Sequence, residues 1–157
     1  GATAVVVTLI YFGIQLRQAA DSVRASVAAM GSEYSTQVWQ LPIDKPELAE
    51  MLQRGDEGTQ NLSDNEYYRY VLFQGTIFRS FEQYFILHEL GTLSDDQWAG
   101  WKQPLSQMLQ YPGVKHAWEA AVRGQHARGF TQLVDDLITS TTESPTRRLF
   151  DKPSSES

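Results

Sequence analysis

Ser63-Asp-Asn-Glu-Tyr-Tyr-Arg-Tyr-Val-Leu-Phe-Gln-Gly-Thr-Ile-Phe-Arg-Ser-Phe-Glu-Gln-Tyr-Phe-Ile-Leu-His-Glu-Leu-Gly91 is the stretch on which the fold turns. Tyr67, Tyr70, Val71, Gln74, Ile77, Phe78, Phe81, Tyr84, Phe85 and His88 recur at three- and four-residue spacings, the period of one helix face. Leu72, Phe73, Ile86 and Leu87 widen that stripe until little of the helix is polar, so other segments must cover it on most sides. Ser63 and Glu66 have the spacing of a capping box at its start, and Gly91 supplies the left-handed residue that closes a helix.

Downstream, Ser94 and Gln97 repeat the box and open a helix through Trp98, Trp101, Leu105, Met108 and Leu109. Pro104 removes a backbone donor within it and predicts a kink or break near Lys102. Tyr111-Pro112-Gly113 reads as a turn, Val114 to Arg123 as a short helix, and Phe130, Leu133, Val134, Leu137 and Ile138 as a last amphipathic helix. From Thr139 the residues are Ser, Thr, Pro and charge, which predicts a disordered tail over 139–157.

Upstream, Pro46 to Gln53 forms a short helix with proline in its first turn, Glu47 at its positive end and Arg54-Gly55 closing it. Asp56 to Leu62 reads as a polar loop. Before it, one long helix is predicted from Ala2 to Gln40, with Pro42 as its stop. Leu16, Ala20, Val23, Val27, Met30, Tyr34, Gln37 and Leu41 give that helix a heptad-like face. No segment alternates in the manner of a strand, and no hairpin turn signal occurs. The sequence therefore predicts an all-α chain: an N-terminal transmembrane helix continuous with a cytoplasmic bundle of about five or six helices.

The transmembrane part of that expectation rests on Gly1 to Leu16, which carry no charged side chain. Val5, Val6, Val7, Leu9, Ile10, Tyr11, Phe12 and Ile14 are the residues that would meet lipid. Crossing a hydrocarbon core of roughly 30 Å takes about 20 helical residues, and this segment reaches only about 24 Å. A span that begins further upstream, a thin or partner-assisted span, and a helix buried in a soluble core all fit that length. The flanks favour the membrane: Tyr11 and Phe12 sit where aromatic rings prefer the headgroup zone, and Arg17 and Arg24 follow on what the positive-inside tendency makes the cytoplasmic side. No basic stretch precedes the apolar run and no small-x-small site follows it, which argues against a cleaved secretory signal. The expected division is 1–16 transmembrane, 17–138 helical bundle and 139–157 tail.

The chain of 157 residues has no cysteine, which excludes disulfides, thiolate chemistry and cysteine-ligated metal. Its net charge of -6 argues against a duplex-binding domain, and nucleic acid is not expected as a partner. His116 and Glu119 share a helix face, but the Glu-before-His spacing of a di-iron bundle is absent, so neither metal nor cofactor is expected. Arg147, Arg148 and Lys152 lie among acidic neighbours and read first as a solvated tail, with anionic lipid or a protein partner as the alternative.

Polar residues within the central helix must be paired, because burying an unpaired charge is costly. An Arg79–Glu82 ion pair is the simplest solution; a polar pocket built from Gln74, Arg79, Glu82 and His88 and open to a small ligand is the alternative. Trp39, Trp98, Trp101 and Trp118 suit core packing first and an interface second, and Trp98, Trp101, Arg147, Arg148 and Phe150 are the candidate interface residues. No phosphate loop, nucleophile elbow or metalloprotease motif occurs, and no enzymatic activity is expected.

The order of several segments resembles an uncharacterised family of small bacterial single-span inner-membrane proteins. These segments are Val7 to Gln18, Lys45 to Ala49 with Arg54-Gly55, Phe78 to Tyr84, His88 to Gly91, Trp98 to Trp101, and Pro112-Gly-Val114 followed by Trp118. The resemblance implies a single membrane span and a helical domain, and brings no activity with it. The expected role is a non-enzymatic accessory or scaffolding subunit of a larger inner-membrane assembly, respiratory or photosynthetic, with membrane lipid and other subunits as partners. The second expectation is a membrane-tethered domain that senses a small ligand.

Overall fold

The computed structural model describes residues 1–152, apart from the side chains at positions 28, 30–32, 34 and 35. The α-helices are α1 (Ala2–Asp44), α2 (Pro46–Glu57), α3 (Asp64–Glu89), α4 (Asp95–Met108), α5 (Pro112–Ala117) and α6 (Arg128–Glu143). A 3-10 turn, Thr59–Asn61, joins α2 to α3, and a π-helical stretch, Trp118–Val122, followed by a 3-10 turn, Arg123–Gln125, joins α5 to α6. No strand occurs among the described residues.

The central helix forms as its sequence predicts. Ser63 accepts from the Glu66 backbone N–H and Glu66 accepts in return from the Ser63 N–H, so two orphan donors of the first turn are satisfied. At the other end Gly91 takes φ +70°. The Thr92 N–H then reaches the Leu87 carbonyl and the Gly91 N–H that of His88, both at 2.8 Å. Between these caps Tyr70, Ile77, Phe78, Phe81, Tyr84 and Leu87 are buried. Each large side chain so buried contributes about 1.5–3 kcal/mol.

The remaining helices enclose α3. Phe78 packs on Trp118 with ring centroids 4.7 Å apart, and Tyr84 stacks on Trp101 at 3.7 Å with the planes 10° apart. Phe130 and Val134 of α6 and Leu105 and Leu109 at the end of α4 close the same core. A second, smaller cluster joins Met51 and Leu52 of α2 to Tyr70 and Ala117. There α2 and α5 meet almost backbone to backbone: a Cβ on Gly113 would lie 1.7 Å from the Gly55 carbonyl oxygen.

Several boundaries depart from expectation. Pro42 does not stop α1, which continues to Asp44. The stop comes at Lys45, held extended at φ -129°, ψ 90° because the following Pro46 excludes the helical conformation and itself begins α2. Helix α2 runs through Gly55 to Glu57, since Gly55 sits against the Tyr70 ring rather than in a turn. Helix α4 crosses Pro104 unbroken; the carbonyl that loses its donor belongs to exposed Gly100, where water can replace it. The segment after Tyr111 begins α5 at Pro112 and then widens into π and 3-10 turns, instead of forming one helix from Val114. Helix α6 extends past Ile138 to Glu143, with Thr141 buried.

The segment 144–152 folds back over the domain: Arg148 pairs with Glu57 at 2.7 Å, and the Tyr111 hydroxyl accepts from the Phe150 N–H. The rest of the expected tail, 153–157, lies outside the described residues.

Helix α1 has two unlike parts. Its last turns join the domain through buried Val38 and half-buried Trp39. Its first part, residues 1–27, is exposed throughout. Leu16 and Val23, expected to line a bundle face, are 61% and 63% exposed. Val27 and Leu41 of the same heptad series are also exposed, while Met30 and Tyr34 lie outside the described side chains. The helical stretch long and apolar enough to cross a membrane is Ala2–Val27, 26 residues, and none of its apolar window is buried by the rest of the chain. At ~1.5 Å per residue it is about 39 Å long, which removes the shortfall of the 16-residue reading.

Candidate functional site

A cavity of about 480 Å³ opens where the end of α1, the end of α2 and the middle of α3 converge beneath the folded-back segment. Trp39, Phe73, Ile77, Met108 and Tyr111 are among the residues of its apolar wall. The polar floor comes from Asp56 and Gln74. Pro42 and Ile43, the last residues of α1 to face it, make the cavity continuous with the long N-terminal helix. Its size falls within the usual range for small-ligand sites.

The floor is an ordered polar group. Asp56 Oδ1 accepts from the Tyr70 hydroxyl at 2.7 Å and from Gln74 Nε2 at 3.2 Å. Tyr70 and Gln74 lie four apart on α3 and so present side by side to the end of α2. Burial pushes the Asp56 carboxyl up to about 6, against the opposing pull of the Tyr70 hydroxyl, and Glu57 raises it further. The same burial, with the Asp56 charge beside it, drives the Tyr70 hydroxyl far above its ordinary value, so it is a permanent donor. Because Gln74 turns its amide nitrogen to Asp56, its oxygen faces away. Gln74 is 3% exposed, and its Oε1 has no hydrogen-bond partner. A buried acceptor left unmade costs ~1–3 kcal/mol.

Of the four residues expected to form a pocket, only Gln74 borders this cavity. Arg79 and Glu82 belong to a separate cluster, centred on the buried Glu82, that ties α3 to the start of α6. Glu82, 2% exposed, accepts from Arg79 at 2.5 Å, from the Ala127 N–H at 2.6 Å and from His126 Nδ1 at 2.9 Å. Arg79 also donates to the Gln125 carbonyl at 2.8 Å. Burial raises the Glu82 carboxyl, but the Ala127 N–H, His126 and Arg79 together outweigh it and hold the group below its ordinary value. Burial lowers His126 in spite of Glu82, the acceptor for its Nδ1–H. With every partner supplied by the fold, Arg79 and Glu82 act as a staple, and the pocket reading is corrected for both.

His88 likewise stands apart from the cavity. It closes the junction of α3 and α4, with Nε2 3.0 Å from Asp95 Oδ1 and its ring stacked on Trp98 at 5.6 Å.

The candidate interface residues divide in the same way. Trp98 is buried against Phe85 and His88, and Trp101 is half-buried between Tyr84 and Phe81, so both pack in the core. Arg148 lies over the Tyr111 ring, 5.0 Å from its centroid, while paired with Glu57. Arg147 bonds the Asp151 carbonyl, and Phe150 is exposed at the cavity mouth. The residue that sequence reasoning missed is Asp56, read as part of a polar loop. The available signal was the pair Tyr70 and Gln74 on the buried face of α3, two polar groups that had to find a partner elsewhere.

Comparison with protein-family models, with curated proteins and with solved structures finds no match to this chain. Among the described residues no group of His, Asp and Glu could hold a metal ion.

Proposed function

We propose that this chain is a single-span inner-membrane protein whose helical domain lies on the cytoplasmic side and serves as a non-enzymatic accessory or scaffolding subunit of a larger bacterial membrane assembly, respiratory or photosynthetic. The observation that carries the reading is the bare N-terminal rod. Val5, Leu9, Ile10, Phe12 and Ile14 all project from a helix that the domain leaves unsheathed, and apolar area costs roughly 25 cal/mol per Å² left in water. A core helix of a soluble domain would be wrapped by its own chain. Lipid, or the spans of neighbouring subunits, would cover the rod instead, with Arg17 and Arg24 at the cytoplasmic boundary. The resemblance to single-span inner-membrane proteins supports the same assignment.

The absence of cysteine makes the test clean, since one introduced thiol is the sole labelling site. With cysteine at Gln53 of the full chain in intact cells, an impermeant maleimide should leave the site unlabelled until the cells are opened, and alkaline carbonate should not extract the protein. Purification in mild detergent followed by mass spectrometry should return companions in fixed stoichiometry. Carbonate extraction would overturn the anchor, labelling in intact cells the sidedness, and a protein purified without companions the subunit role. The cavity supports a second reading, a membrane-tethered domain that binds a small ligand.

A further inference from the structure

Lipid accounts for only part of the bare rod. Leu9, Gly13, Leu16, Ala20, Val23 and Val27 follow one another at spacings of four and three, and all are exposed. Between Arg17 and Val27, past the uncharged run, Val23 and Val27 are the only apolar side chains larger than alanine. They stand 63% and 44% exposed beside Arg17, Asp21 and Arg24, charged groups that hydrocarbon does not accept. The series continues through Gln37 and Leu41, which are also exposed, whereas the domain grips α1 by Val38 and Trp39 on another face. The seam is therefore free along its length even where the helix meets its own domain. A stripe this narrow is the pattern of a coiled coil, not of a helix laid on a globular core. Leucine at the d positions, Leu9 and Leu16, with small or β-branched residues at the a positions, Gly13, Ala20 and Val27, favours two strands. Nothing lies within 4 Å of the place a Cβ would take on Gly13. No contact inside this chain calls for glycine there, but a neighbouring helix backbone that must come close does.

We infer that α1 pairs through this seam with α1 of a second copy, as a parallel two-stranded coiled coil that makes the protein a homodimer. The inference rests on the single-span reading, which supplies the geometry. Copies of a single-span chain cross the membrane in the same direction, and Arg17 sets each at the same depth, so two seams meet parallel and in register. In that register Arg17 of one copy, at an e position, lies opposite Phe12 of the other at g, and Arg24 lies opposite Ala19. The Phe12 ring attracts the guanidinium, and no like charges meet. Asp21 stays with Arg24 of its own helix at 3.5 Å. Antiparallel pairing would instead turn the two arginine-bearing edges toward each other.

The test is oxidative cross-linking of single-cysteine variants of the full chain in isolated membranes, with copper-phenanthroline as oxidant. Leu16→Cys, Ala20→Cys and Val23→Cys lie on the seam and should give disulfide-linked dimers. Ser22→Cys and Ala25→Cys point away from it and should give about tenfold less. All five positions are exposed, so none of these substitutions disturbs the domain. Adding Gly13→Ile to the Val23→Cys chain should lower the dimer by about tenfold, because the two backbones can no longer approach, and should leave the unfolding midpoint of the domain unchanged. Cross-linking that does not follow the seam, or that Gly13→Ile leaves undiminished, overturns the inference. So does a benzophenone maleimide on the Val23→Cys thiol that captures a different membrane span and no second copy. A protein that resists carbonate extraction yet forms no seam disulfide removes the dimer and leaves the anchor standing. Carbonate extraction removes the anchor and the dimer with it.

Discussion

Asp56 and Glu82 are two carboxylates in one domain with opposite environments. Glu82 is surrounded by donors and is held down; Asp56 has one hydroxyl and one amide, and burial pushes it up. The difference has a measurable sign. The folded Asp56 carboxyl takes up its proton at about 6 and the unfolded one near 3.8, so between those values the folded state holds more protons and its stability falls as pH rises. Asp56→Asn keeps the acceptor for Tyr70 but cannot ionise. Its stability advantage over the parent should grow by about 1 kcal/mol between about pH 5 and pH 7.5, measured by urea unfolding at both values. An advantage that does not change with pH would show that Asp56 does not titrate in this window. Residues such as these mark the limit of sequence legibility. Arg79 and Glu82 are three apart on one helix, so their pairing follows from helix geometry. His126 and Asp56 arrive from elements far away in sequence, and periodicity within one helix says nothing about which distant segment will face it.

At the scale of elements, the signals that were read correctly are local ones. Both capping boxes and the Gly91 cap form, because each needs only a few consecutive residues to satisfy orphan backbone groups. Most of the misread boundaries involve proline or glycine whose effect tertiary packing decides; the extension of α6 to Glu143 is the exception. Pro104 sits in a continuous helix because Gly100 faces water, and Gly55 extends α2 because its missing side chain makes room for Tyr70. The contact of α2 with α5 gives the sharpest test. Gly113→Ala places a methyl group 1.7 Å from a backbone oxygen that cannot swing aside, so the helices must separate. The expected loss is about 3 kcal/mol, read from the thermal unfolding midpoint. Gly100→Ala, in an exposed helix interior with nothing within 4 Å, should instead gain about 0.5–1 kcal/mol. Equal effects at the two positions would refute the close approach.

At the scale of the whole molecule, a helical domain carries a rod that it does not shelter. The all-helical class and the apolar start were legible because helix periodicity and a run without charge are properties of the sequence alone. The free heptad face of Leu16 and Val23 was not, since a stripe at that spacing looks the same whether its partner is this chain or another. Because residues 1–27 are exposed throughout, removing 2–27 should cost the domain no packing. The shortened protein should unfold in urea at the same midpoint as the full chain in detergent, and should leave the detergent phase for the aqueous one. A lower midpoint would mean that the rod supports the fold.

The unbroken course of α1 also has a mechanical meaning. From Val38, where the helix grips the domain, to its free end is about 55 Å, so a tilt of about ten degrees at the grip swings the far end by about 10 Å. Trp39 and Pro42, beside the cavity, sit on the short arm of this lever. Whatever fills that space pushes where a small displacement is most amplified.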